Sequence, residues 1–483
     1  MSLSLIGLTL NWLAELDFQL KWKKIKAQHY LPIIFSGLFL LELFWLPISK
    51  DTTIGLNVLR IKLPLLLIPL IIGSCANFSK REWKIIITTF FVGILVSTIW
   101  VYLVSLEILP TKKDSGTIRD ASVFMSHIRY SVLLSFAAIL LLYLAFKKLI
   151  TKTISLIFFL WLLFLIFKLS TITAFLGLSS ALLFLFFSLI ADSKNSLKTV
   201  YVAGIASLFF LLALYTTIIV KDFHHVKSKE RSFQTHSLGG EKYQQDLKDN
   251  TTENGYYLWE NIAQNELERA WNKRSEHNFQ LKDKKQQVIK GTIYRFLTSK
   301  GLNKDSVGLS KLNEIEIKKI ENGETSFVRY NNFETRIRSL LYQWELRKKT
   351  KDPNHQTVNQ RVVFWKTGID IFSNQPIFGH GPGGAKTQYK KYYKNQHTNL
   401  TKTNQLLAHN QFITQAINLG ALGTIIWVFI ILYSFLKVNK EIILLFVPYI
   451  ILMFFAFMSD DMLEVQAGIT IFSFFGTLLL FSP

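Results

Sequence analysis

The sequence predicts an all-α, polytopic helical membrane protein with a large extracytoplasmic insertion, and three observations carry that prediction. Half of the 483 residues are hydrophobic, and they gather in runs of about twenty, the length an α-helix needs to cross a bilayer core. The 55 Lys and Arg outnumber the 33 Asp and Glu, for a net charge of +22, and they gather between the runs. One long polar segment, 221–409, interrupts the pattern late in the chain.

Residues 1–20 alternate apolar and polar groups with a helical period and are read as lying in the membrane interface, with an eleventh span as the alternative. Ten spans are then expected, at about 30–48, 56–75, 84–106, 127–146, 153–169, 172–191, 199–220, 410–436, 442–458 and 466–482. The first is short and ends at Pro47. Lys21, Lys23, Lys24 and Lys26 precede it, and Lys80, Arg81, Lys84, Lys147, Lys148, Lys152, Lys194, Lys198, Lys437 and Lys440 fall in later short loops. Threaded in order, the spans put all of these on one side, which the positive-inside rule makes the cytoplasm. The opposite side receives 107–126, the segment 221–409 and the acidic turn Asp460-Asp461-Met462-Leu463-Glu464. The expected organisation is an N-terminal membrane domain of about seven spans (1–220), an outer helical segment (221–409) and a C-terminal membrane domain of about three spans (410–483). No removable signal peptide is read after the first apolar stretch. The single cysteine, Cys75, allows no intrachain disulfide and no Cys-based metal cluster.

Within the outer segment, Ile315–Ile320 and Phe333–Leu346 read as amphipathic helices, and 300–310 and 351–355 read as loops. The chemistry concentrates at its C-terminal end. Arg361, Lys366, Lys386, Lys390, Lys391, Lys394 and Lys402 face one acid, Asp370, and no Asp or Glu occurs from Ile371 to Lys440. Such a run beside a membrane attracts anionic headgroups or grips a phosphate-bearing ligand, where Arg can hold two oxygens at once. Inside it, Gly379, Gly381, Gly383 and Gly384 permit left-handed backbone and close approach of amides to an anion, or simply a turn. Arg129, about one turn inside the fourth span, needs a partner, a polar cavity or a snorkelling route to the headgroups. His409, just before the eighth span, is placed to act as a general base or as a hydrogen-bonded structural group. Asp460, Asp461 and Glu464 are alternative bases or counter-ions for Arg129 or Arg361. No His/Cys ligand pattern asks for a metal, and no cofactor is expected.

Arg361-Val-Val-Phe-Trp365, Pro376-Ile-Phe-Gly379-His-Gly381 and His409-Asn410 with Gly420 and Gly423, in this order, resemble the bacterial O-antigen ligase and O-antigen polymerase superfamily. Arg129-Tyr-Ser-Val-Leu133 is similar to that family's Arg-three-residues-Leu element, and the turn Ser459–Glu464 resembles Bacteroidetes-type relatives. One departure stands out: Ile172 occupies the place where many relatives carry an Arg, and nearby Lys168 does not reproduce a bidentate Arg.

The resemblance implies glycan transfer at the periplasmic face of the bacterial inner membrane. The donor would be a glycan on undecaprenyl diphosphate, and the acceptor lipid A-core (ligase) or another lipid-linked glycan (polymerase). Metal-independent inversion is expected, with His409 as base and Arg361, Arg129 and Lys386 on the donor diphosphate. Trp365, Gly379, Gly381, Asn410 and Gly420 would shape the site. Membrane lipids are the other expected partners, and no nucleic acid is. A transporter or flippase would need ionisable groups deep in several spans, and the charges here are read as staying near span ends. A membrane-anchored binding module would leave Arg129 and His409 without a role.

Overall fold

The computed structural model describes residues 3–75, 78–106, 108–110, 122, 125–191, 198–227, 234–284, 287–349, 352–354, 357–395 and 398–481. Most of the connection 107–126, Lys194 and the ends of the loop 351–355 lie outside these residues.

The helices before the polar segment are α1 (Leu3–Ala14), α2 (Phe18–Ala27), α3 (Leu31–Trp45), α4 (Thr52–Lys62), α5 (Pro64–Cys75), α6 (Lys80–Ser105), α7 (His127–Phe146), α8 (Lys152–Leu169), α9 (Ile172–Ala191) and α10 (Lys198–His224). Those of the polar segment are α11 (Gln264–Asn272), α12 (Ile289–Ser299), α13 (Ser306–Ser310), α14 (Glu314–Glu321), α15 (Asn332–Lys349), α16 (Thr357–Asn374) and α17 (Gly384–Asn395). The chain closes with α18 (Gln411–Leu436), α19 (Ile443–Ser459) and α20 (Gln466–Leu480). The strands Thr252–Glu253 and Tyr256–Tyr257 form one small hairpin. The architecture is that of an all-α, multi-pass membrane protein.

Among the described residues, seven segments are long and apolar enough to cross a membrane: Leu31–Ile48, Thr52–Cys75, Arg81–Ser105, His127–Phe146, Lys152–Leu169, Gln411–Leu436 and Lys440–Ser459. Ile172–Ser188 and Gln466–Leu480 are apolar and helical but shorter, and the expected run 199–220 falls within α10. Helix α1 has 12 residues, about 18 Å at the helical rise, against about 30 Å of bilayer core. The expected loop 300–310 contains α13, because Asp305 accepts a hydrogen bond from Gly308 N and starts a helical turn.

The chain divides into two compact units, one of residues 1–102, 124–195 and 352–483, the other of 103–123 and 196–351. In the second, Trp271, Phe279, Ile293, Phe296, Leu297 and Ile320 make a closed apolar core. Helix α15 packs on α10 there, and Arg338 joins Glu334 (3.0 Å) and Asp222. The first unit therefore takes the C-terminal part of the segment 221–409, namely α16 and α17, which pack on α18. In this unit α7 is central, against α8, α9 and α19, while α3 packs on α5 and α18. Phe136 of α7 meets Phe475 of α20 at 4.6 Å between ring centroids.

Candidate functional site

The site is built around the start of α18. Asn410 is its N-cap: Asn410 Oδ1 accepts from Phe412 N (3.0 Å) and Ile413 N (3.3 Å), satisfying amides that a helix start leaves open. The residue before the cap, His409, stands at φ +46°, a left-handed conformation that a side chain disfavours. Neighbours hold it there. His409 N donates to Asp461 Oδ2 (3.0 Å), and Thr414 Oγ1 donates to Asp461 Oδ1 (2.6 Å). Trp365 Nε1 of α16 donates to Ala408 O (3.0 Å), tying the other side of His409 to α16, and Phe364 lies against the imidazole at 6.0 Å.

The imidazole faces Asp460, with Nδ1 3.5 Å from Oδ1. The other oxygen, Oδ2, forms an ion pair with Arg129 Nη2 of α7 at 2.7 Å. Arg129 Nε is buried without a hydrogen-bond partner among the described residues. Burial would raise Asp460's pKa, but the contact with His409 and the charge of Arg129 outweigh it and hold the carboxyl below its ordinary value. Asp461 goes the other way: burial dominates and pushes it up, against the hydrogen bond from Thr414. Arg361, half-buried on α16, makes no hydrogen bond or ion pair among the described residues. Burial pulls its pKa down, opposed by the charges of Asp460 and Asp461, so it sits in the field of these two carboxylates.

Arg129, Arg361, Trp365, His409, Asn410, Asp460 and Asp461 therefore converge. Glu464 does not join them. Its Oε1 lies 2.9 Å from Lys62 Nζ instead, so it is counter-ion to neither Arg129 nor Arg361. Lys386 is exposed at the start of α17 and makes no hydrogen bond or ion pair with the cluster. Ile172 opens α9 beside Thr173, whose Oγ1 donates to Ser459 Oγ (2.8 Å) next to Asp460. Lys168 instead lies over the Phe164 ring at 5.6 Å.

Of the two readings open for the glycine-rich turn, the structure favours the plain turn. Protein acceptors take most of its amides: Gly379 N donates to Gln375 O, His380 N to Ile417 O, Gly381 N to Asn418 O and Ala385 N to Asn418 Oδ1, at 2.8 to 3.0 Å. The glycines serve backbone packing. Gly379 (φ +68°) meets the kink of α18 at Gly420 (φ +64°), where a Cβ on either residue would come within 2.3 Å of backbone atoms. Gly381 (φ +78°) packs on Ile48 and Ser49 in the same way.

The spans bring a correction. Charges do not stay at their ends. Glu42 of α3 and Lys62 of α4, each with its side chain 1 % exposed, pair at 2.6 Å, and Gln415 Nε2 donates to Glu42 Oε1 (2.7 Å). Gln411 continues the network from Gln415 (3.2 Å) to Leu463 N (2.7 Å). The signal was present in the sequence: a lone Glu in the run 30–48, a Lys in 56–75, and two Gln one turn apart at the head of the eighth span.

No curated protein matches the chain. Residues 316–428 match the family model described as O-antigen ligase. That stretch holds Arg361, Trp365, Gly379, Gly381, His409, Asn410 and Gly420; Arg129, Glu42, Lys62 and the turn 459–464 lie outside it. That match supports membership of the O-antigen ligase and polymerase superfamily through this stretch of the chain.

Proposed function

We propose that this membrane protein transfers a glycan from an undecaprenyl-diphosphate donor to lipid A-core at the periplasmic face of the inner membrane, by one displacement with inversion. The relay Arg129–Asp460–His409 is the observation that carries the reading. With Nδ1–H directed at Asp460, His409 presents the Nε2 lone pair to an acceptor hydroxyl. The hydroxyl oxygen bonds to the anomeric carbon and its proton passes to Nε2. The bond from that carbon to the diphosphate breaks, its electron pair leaving with the phosphate oxygen. The chain's own cations offset the charge that develops there. Arg361 is the principal one, since Arg129 is already engaged by Asp460. Exposed Lys386 would add charge at the periphery.

The carboxylates fit supporting roles better than that of base. Asp460 is held ionised and occupied by Arg129, and both oxygens of Asp461 are taken by His409 N and Thr414.

A deletion strain tests the reading through its lipid-linked and lipid A-linked glycans. Polymer accumulating on the carrier lipid is expected. Accumulated single units would assign polymerase activity instead, and unchanged pools would contradict glycan transfer. A phosphatase fusion at Asp249 or Lys304 should be active; an inactive one would contradict the periplasmic placement.

A further inference from the structure

The cluster Glu42–Lys62–Glu464 plays no part in the transfer chemistry above, and its charge does not balance. Lys62 Nζ lies 2.6 Å from Glu42 Oε1 and 2.9 Å from Glu464 Oε1, with side chains 1 %, 1 % and 14 % exposed. Two carboxylates share one ammonium where a net charge is costly. Among the described residues, the other elements packed here offer no second cation. Helices α18 and α20 contain no charged residue, and α3 contains only Glu42. On α4, Arg60 is exposed. Within the turn, Asp460 is engaged by Arg129, while Asp461 adds further negative charge beside Glu464. An independent observation points the same way: Glu42 Oε2 is fully buried and has no hydrogen-bond partner among the described residues.

We infer that this cluster is a proton-binding site, in which Glu42 and Glu464 share one proton at neutral pH and the buried triad is thereby neutral. The proton neutralises the carboxylate that the Lys62 ammonium does not balance, so no bare charge is left in the membrane unit. Burial also pushes Glu464 above its ordinary value, against the attraction of Lys62 and with the repulsion of Glu42. The neutral triad fastens the turn 459–464 to α3 and α4, while Leu463 N, donating to Gln411 Oε1, fastens it to α18. The site does not depend on the glycan-transfer reading.

Infrared difference spectroscopy of the full chain in lipid, between neutral and alkaline pH, tests it. The wild type should show the C=O stretch of a protonated carboxyl at neutral pH. Glu42→Gln and Glu464→Gln should each abolish that component, because either leaves one carboxylate balanced by one ammonium. Lys62→Met should raise it about twofold, both carboxyls then being neutral. If Lys62→Met does not fold, the two Gln variants decide alone. A band lost in only one Gln variant, or a band that neither lowers, would overturn the proposal. So would a wild type with no such band.

Discussion

The turn 459–464 sends carboxylates into two polar clusters that differ in closure. Toward α4, Glu464 enters a shut network in which Lys62 and Glu42 are 1 % exposed and Gln415 takes up a further contact. Toward α16, Asp460 enters an open one, where the His409 side chain is 36 % exposed and Arg361 has no direct partner among the described residues. The shut cluster turns its charged groups toward one another, out of reach of solvent, and fixes backbone. An open one keeps a lone pair and a guanidinium for something that is not part of the chain. Buried charge is therefore common to both clusters, and what sets the proposed reaction centre apart is an accessible His beside a guanidinium with no direct partner among the described residues.

The shut cluster is most sensitive at Lys62. Lys62→Met removes the ammonium that two buried carboxyls share, a change that costs about 3–5 kcal/mol once rising pH ionises one of them and strands its charge. Folded protein should fall, as read by thermal unfolding. The penalty should also grow with pH. Without its cation, Glu464 holds its raised pKa more strongly, and a carboxyl raised in the folded state contributes stability at low pH that is lost as pH rises. A variant whose folded level does not change at any pH would remove the distinction between holding and reacting clusters.

The open cluster should respond in rate while the protein stays intact. Arg361→Lys keeps the charge and loses the two-pronged geometry. Losing one charged hydrogen bond, worth about 1.5–3 kcal/mol, should slow transfer roughly ten- to a hundredfold. Equal rates for the Arg and Lys forms would make Arg361 a general electrostatic group. Trp365→Phe gives the smallest effect: it deletes the hydrogen bond to Ala408 O, worth about 1 kcal/mol. It should lower transfer more than it lowers the unfolding temperature, because that bond holds the residue next to His409.

Much of this was legible in the sequence. The fourth apolar run, 127–146, coincides with α7, and Arg129, Arg361, His409, Asp460 and Asp461, scattered along the chain, do meet. Basic and acidic groups assigned to one face by the alternation of spans had few other places to pair. What escaped was partner choice and backbone use. Glu42 and Lys62 announce that partners are needed, but which buried carboxylate meets which ammonium is decided by helix packing. The turn at Gly379 and Gly381 reads equally as an anion cradle or a packing joint. Only the position of the α18 kink at Gly420 separates them, since it takes up the space a Cβ would fill.

His409 carries the proposed chemistry most directly. His409→Gln keeps a hydrogen-bonding side chain and removes the basic nitrogen. With protein level and unfolding temperature unchanged, it should reduce glycan transfer by about 10²–10⁴-fold, the usual contribution of a general base, as read from glycan-bearing lipid A-core in cells complemented with the variant. Transfer at near wild-type rate by a normally expressed His409→Gln protein would contradict the assignment, leaving His409 a structural group at the head of α18.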